Sequence, residues 1–273
     1  SRGHPLGVAD VANRYCRTMR DLYLRFVQGL ELKPTPRMLE GKVYHEVVRR
    51  VVLRVKEVVY AGGALEGSAV YEEVVARGEG EVAELVLKVM GGLDPVPEDG
   101  VWEVMDRAWR LWRFLALRLS SRIDEVRSRH PGADADAILA KAVPQVTEYR
   151  VDGRPLGLSR SLSVDVFMPT YVVFELKTGA RRDFHRLAVA GYALALEAEL
   201  ESPVDLGAVV YVRFDGGLPS VEEEFFPVSN ELRLGFLELR DTALEIIEHG
   251  RDPGRPPRCY RYCPFREVCL GGL

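Results

Sequence analysis

Apolar residues recur three and four positions apart through the first half of the chain, then give way to alternation. Val8, Val11, Ala12, Tyr15, Met19, Leu22 and Phe26 keep helical spacing and predict one N-terminal helix. Met38, Gly41, His45, Val48, Val52, Val55 and Val59 form a second helical stripe. A third helical stretch runs from beyond Gly62 and Gly63 to about Met90, where the loop GGLDPVPEDG breaks the pattern. The next helix is long, with Trp102, Met105, Trp109, Trp112, Ala116, Leu119, Ile123 and Val126 on one face. The regular spacing of the tryptophans assigns them to a core rather than to base stacking. Arg107, Arg110 and Arg113 lie off that stripe, as a solvated face or as phosphate contacts.

From residue 144 the period changes. PQVTEYRVDG, LSVDVFMP and YVVFELKTG read as strands separated by turn signals. RDFHRLAVAGYALALEAELE is helical, LGAVVYVRFDGG and VEEEFFPV return to strand, and a last helix spans roughly 230 to 249. The chain therefore reads as an α/β protein in one integrated globular unit: a mainly helical part over 1–143, a strand-rich core over 144–228, and a C-terminal helix with a cysteine-bearing segment over 229–273.

Composition narrows the classes. Hydrophobic residues make up 47% and charged residues 29%, which excludes a disordered chain, and no apolar run reaches the roughly 18 residues of a spanning helix. A cytoplasmic protein with no membrane association is expected. The net charge of -4 does not announce a nucleic-acid binder, but a local basic channel can sit on an acidic body.

The richest stretch chemically is SVDVFMPTYVVFELKTG. Alternation on a strand points Glu175 and Lys177 to one side and Leu176 to the other. If the Asp165 strand pairs with this one through the MPT turn, both carboxylates converge on one end of the sheet. Two hard oxygen ligands there suit Mg²⁺ or Mn²⁺, and a neighbouring lysine can orient or deprotonate a bound water. Charged residues closing an otherwise apolar strand are costly unless used. Glu148, on the preceding strand, reads equally well as an accessory ligand or a solvated edge residue. His45 falls on the apolar stripe of its helix, one turn after Gly41, and so faces inward with room for a group to approach the imidazole.

In chain order, Gly41-x3-His45, Asp165, Glu175-Leu176-Lys177-Thr178-Gly179 and a helix containing GYALALE resemble the motifs of RecB-like nucleases of the PD-(D/E)xK class. With Cys16 and the C-terminal run CYRYCPFREVC, the chain resembles the iron–sulfur branch of that class. It is most similar to the CRISPR-associated RecB-like exonucleases of the adaptation module, in the version accompanying archaeal type I-A systems. The resemblance implies a restriction-endonuclease-like mixed sheet flanked by helices. It implies that His45, Asp165, Glu175 and the backbone carbonyl of Leu176 bind the catalytic metal, that Lys177 assists the water, and that Tyr192 lies along the nucleic-acid path. Cys16, Cys259, Cys263 and Cys269 would hold one [4Fe-4S] cluster. The implied activity is trimming of single-stranded DNA ends, 5′ to 3′, to prepare new spacers, with CRISPR integrase proteins as partners and a homo-oligomer as a further expectation.

The sequence departs from that pattern in three places. Leu187, Ala188 and Val189 occupy the turn before Tyr192 where the family has a glutamine, with His185 and Arg186 the nearest polar candidates; Arg17 directly follows Cys16; and three residues, not two, separate Cys259 from Cys263. Thiolates alone suit zinc as well as a cubane, and two disulfides are a further reading. Two other functions fit parts of the sequence: a non-catalytic DNA-end-binding subunit of a spacer-capture complex, and a cluster-based redox protein.

Overall fold

The computed structural model describes residues 6–62, 66–91 and 98–271. Gly63 and residues 92–97 of the GGLDPVPEDG loop lie outside the described residues.

The single N-terminal helix expected over residues 8 to 26 is two helices. Helix α1 (Val8–Ala12) stops, and α2 (Arg20–Leu22) starts afresh and runs into one π-helical turn (Tyr23–Val27). The apolar period carries through the gap because both halves bury the same face. The backbone does not, since Met19 turns into the left-handed region at φ 57°. Contacts from the far end of the chain hold the gap open. The Thr18 hydroxyl donates to the Gly254 carbonyl at 2.8 Å, and Arg20 pairs with Asp252 at 2.8 Å. Cys16 sits inside this break, where a helix would have turned it elsewhere.

Four helices then form a layer: α3 (Pro36–Gly62), α4 (Gly67–Met90), α5 (Glu98–Arg129) and α6 (Ala135–Ala142). Pro36 opens α3 where its missing N–H costs nothing, and the Asp134 carboxylate caps α6 by accepting from the Ala137 N–H at 2.9 Å. Trp112 is wholly buried, its indole donating to the Val74 carbonyl at 3.1 Å. Trp109 is partly buried, but Trp102 is 67% exposed. The buried stripe of α5 runs through Val101, Val104, Ala108, Leu111, Trp112 and Ala116, so Trp102 lies one position off it. Core assignment therefore holds for two tryptophans and fails for the third.

The second half is a five-stranded mixed sheet in the order β1-β2-β3-β4-β5. Its strands are β1 (Val146–Val151), β2 (Leu162–Met168), β3 (Val172–Lys177), β4 (Leu206–Arg213) and β5 (Ser220–Pro227). Three neighbouring pairs are antiparallel. Only β3 and β4 run parallel, which requires a crossover, supplied by α7 (His185–Leu200). Helices α8 (Asn230–His249) and α9 (Arg266–Gly271) complete the chain.

The sheet separates two cores. Val151, Val164, Phe167, Val173, Val209, Tyr211 and Phe226 pack against α1, α7 and α8. On the other face Leu176 and Val212 join the core of α3 to α6. Between that face and helices α3 and α5 the packing leaves a cleft of about 460 Å³. It is walled by apolar side chains such as Phe174, Met168, Leu115 and Leu119, with Arg49, Arg118 and Arg122 along it. No helix among the described residues is long and apolar enough to cross a membrane.

Candidate active site and cysteine pocket

One part of the cleft wall lies where β2 and β3 part. Their backbone pairing runs from Met168–Val172 to Val166–Phe174 and ends there. Asp165 is the next residue, and its side chain takes over the bonding: Oδ2 accepts from the Leu176 N–H at 2.9 Å. Its Oδ1 lies 3.2 Å from Nδ1 of His45, which α3 brings in across the cleft. On β3, Glu175 and Lys177 share one side as alternation requires, and Lys177 Nζ donates to Glu175 Oε1 at 2.6 Å. Glu175 is only 4% exposed, and its second oxygen, Oε2, is buried without a hydrogen-bond partner. A buried, half-satisfied carboxylate is expensive, and it stands beside a second carboxylate.

The electrostatics follow from this pairing. Burial first, and then the neighbouring charge of Asp165, raise the Glu175 carboxyl pKa above its ordinary value against the pull of Lys177 and His45. Burial also works against charge on Asp165, but His45, the Leu176 N–H and Lys177 outweigh it and hold its pKa below the usual carboxylate range. For His45 and Lys177 burial opposes the cation and the facing carboxylates overcome it, so both pKa values are raised. At neutral pH Lys177 is therefore an ammonium. That favours the orienting role over the deprotonating one among the two roles expected of it.

Gly41 approaches the loop after β3, where an added Cβ would lie 3.5 Å from the Thr178 hydroxyl, an ordinary contact. The room beside His45 thus opens onto Thr178. Tyr192, on α7, is 8% exposed in the core beneath the sheet. Burial and then the charges of Glu175 and Asp165 raise its phenol pKa, so the ring lies within the field of the site. Near the position of the expected glutamine, Ala188 and Val189 are core residues, His185 is 2% exposed with Nδ1 3.1 Å from the Tyr211 hydroxyl, and Arg186 donates to Glu224 at 3.0 Å.

Sequence reasoning missed two neighbours of this site. Arg49 lines the cleft one turn beyond His45, hydrogen-bonded to Glu46 at 2.7 Å. Tyr15 stands in the electrostatic field of Lys177 and packs edge-on against Phe184 at 5.0 Å. Arg49 was legible from its helical position; Tyr15 was not, because the broken helix places it.

Cys16, distant in sequence from the other three, lines one small pocket with Cys259, Cys263, Cys269, Tyr15 and Asp21, and no disulfide joins the four cysteines. The pocket disfavours bare negative charge. Burial pushes the Cys263 thiol up to about 11 and the Asp21 carboxyl up to about 6, and it raises Cys269. A cationic centre is what would make such thiols thiolates. Among the described residues no three His, Cys, Asp or Glu side chains already stand in single-ion geometry. At the β2–β3 end the acids are instead paired with His45 and Lys177.

Two carboxylates, a lysine and a histidine gathered where two strands of a mixed sheet part, beside a cleft that carries arginines, form the kind of constellation that nucleic-acid hydrolases use. Comparison of the whole chain gives the family. Residues 2–272 match the family model described as CRISPR-associated exonuclease Csa1, and the chain belongs to that family. The protein named CRISPR-associated exonuclease Csa1 of Saccharolobus solfataricus is 32% identical over 256 residues, covering 93% of this chain and 82% of the relative. The protein of the same name from Thermoproteus tenax is 31% identical over 264 residues, covering 97% and 84%.

Proposed function

We propose that the chain is a divalent-metal-dependent DNA exonuclease of the PD-(D/E)xK fold that trims single-stranded ends, 5′ to 3′, to prepare new spacers, and that it carries a structural [4Fe-4S] cluster. The observation that carries the reading is the buried Oε2 of Glu175, unpartnered beside Asp165 and His45, both of which line the cleft. That donor set fits Mg²⁺ or Mn²⁺: hard carboxylate oxygens with one imidazole. Asp165, Glu175, His45 and the Leu176 carbonyl would hold the ion. When bound, it would acidify a coordinated water and neutralise phosphate charge.

The remaining work falls to side chains of the chain. Lys177, fixed as an ammonium by Glu175, presents positive charge and a donor to the scissile phosphate. Asp165 holds the His45 ring in place through Nδ1. Arg49, Arg118 and Arg122 supply guanidinium groups suited to phosphates along the cleft. Its apolar walls suit unstacked bases, which supports a single strand over a duplex. Cys16, Cys259, Cys263 and Cys269, gathered on one pocket, suit the cluster.

The test uses single-stranded DNA labelled at either end, in Mn²⁺. Asp165→Asn and Lys177→Ala should each reduce cleavage by at least ~10²-fold while the protein stays folded. Undiminished cleavage in both variants overturns the assignment. Tight binding without cleavage by the wild type would instead support a DNA-end-binding subunit. Iron content and the visible spectrum of protein purified without oxygen test the cluster separately.

A further inference from the structure

Among the described residues, four other than glycine have a left-handed backbone: Met19, Glu148, Tyr171 and Glu201. Three of them sit where chains ordinarily turn. Met19 precedes α2, Tyr171 is in the β2–β3 turn, and Glu201 caps the end of α7. Glu148 is different. It lies inside β1 at φ 53°, between the ladder pairs Thr147–Val166 and Tyr149–Val164. That register sets it directly opposite Asp165, and the ladder records no pair there. A strained non-glycine residue within a strand persists only where the surrounding structure holds it, and such positions gather at functional sites.

The surroundings do hold it. The Ser163 hydroxyl donates to Glu148 Oε2, and Glu148 lines the same cleft as His45 and Asp165. Arg49 and the Tyr192 phenol both lie in its field. Two carboxylates already meet here, and one of them, Glu175, is more than nine-tenths buried with Oε2 unpartnered. We propose that Glu148 is the third carboxylate of the divalent-cation site, held opposite Asp165 in the β1–β2 register. The proposal rests on the metal-dependent reading above and adds a ligand to it. Three carboxylates and one imidazole make a harder, more anionic site than the motif residues alone.

The experiment titrates Mn²⁺ into the full chain and follows the free-ion signal by electron paramagnetic resonance. Wild type, Glu148→Gln, Glu148→Gly and Asp165→Asn are compared, with melting temperatures taken in the absence of Mn²⁺. Both Glu148 variants should bind Mn²⁺ ~10-fold or more weakly. Glu148→Gly should melt no lower than wild type, because glycine accepts the left-handed backbone. Wild-type Mn²⁺ affinity in both Glu148 variants, with affinity lost in Asp165→Asn, overturns this inference and leaves the metal centre standing. Equal Mn²⁺ binding by wild type and Asp165→Asn overturns the metal centre, and Glu148 as its ligand with it.

Discussion

At the scale of single residues, the site is a set of charges that stabilise one another only as pairs. Removing Lys177 leaves Glu175 buried without its counter-charge, so Lys177→Ala should cost about 3 kcal/mol of stability in addition to activity. The double variant Glu175→Gln/Lys177→Ala should recover part of that loss in urea titrations, although it stays inactive. A second buried group should weaken the fold in acid. Burial pushes the pKa of His185 down to about 4, while the unfolded chain titrates near 6.5. Between those values the unfolded state binds a proton that the native state refuses, so stability falls as pH drops from about 6.5 to about 4. The integrated loss is ~3 kcal/mol. Urea titrations of His185→Gln should show a shallower decline over this window than wild type; parallel slopes would remove His185 from the explanation.

At the scale of elements, legibility followed period. The strands and α7 could be read because β3 and β4 are largely apolar on both faces while β2 alternates, and Asp165, Glu175 and Lys177 could be placed on them. The arrival of His45 depended on an inward-facing stripe and on resemblance, since no local rule joins α3 to a sheet that begins 84 residues after α3 ends. What sequence could not show is where tertiary contacts break a continuous pattern. The gap between α1 and α2 is one case; the other is Gly78, read only as part of a helix. A Cβ there would stand 2.2 Å from Trp112 Nε1, so the glycine is what lets α4 and α5 close on each other. Alanine normally favours a helix by up to ~1 kcal/mol over glycine, but the overlap with a buried ring should dominate. Gly78→Ala should destabilise by about 2 kcal/mol, seen as a lower melting temperature with activity retained below it. A rise in melting temperature would mean that the α4–α5 interface yields more easily than its packing suggests. A second element-level feature links the two sites. The rings of Tyr262, Tyr260, Tyr15, Phe184, His185 and Tyr211 succeed one another at centroid spacings of 5.6, 4.6, 5.0, 5.1 and 5.8 Å. Tyr15 is the member between the cysteine segment and the loop after Lys177. Tyr15→Phe preserves both of its ring contacts and should stay within ~1 kcal/mol of wild type. Tyr15→Leu loses both and should cost ~2 kcal/mol or more.

At the scale of the whole molecule, the question is what the two ends of the chain contribute to a site that lies between them. Thr18 and Arg20 bind Gly254 and Asp252, and Cys16 meets Cys259, Cys263 and Cys269 on one pocket. A ligand bridging Cys16 to Cys259 closes nearly the entire chain into a loop, and closure of that length is worth about 5 kcal/mol of chain entropy, on the order of (3/2)RT ln n. That is comparable with the net stability of many domains. The same segment carries Tyr15, which packs against Phe184 just ahead of α7. Loss of the clip should therefore be felt at the candidate site without touching any residue proposed to bind metal there. Cys263→Ser offers a clean measurement because it changes one sulfur and almost no volume. The variant should lose the bound iron and its visible absorbance and melt several degrees lower. It should retain Mn²⁺ binding at Asp165 at temperatures where it is still folded. A Cys263→Ser protein with full iron content and an unchanged melting temperature would remove the cysteine pocket from the architecture of the site and leave Thr18–Gly254 and Arg20–Asp252 as the links between the ends.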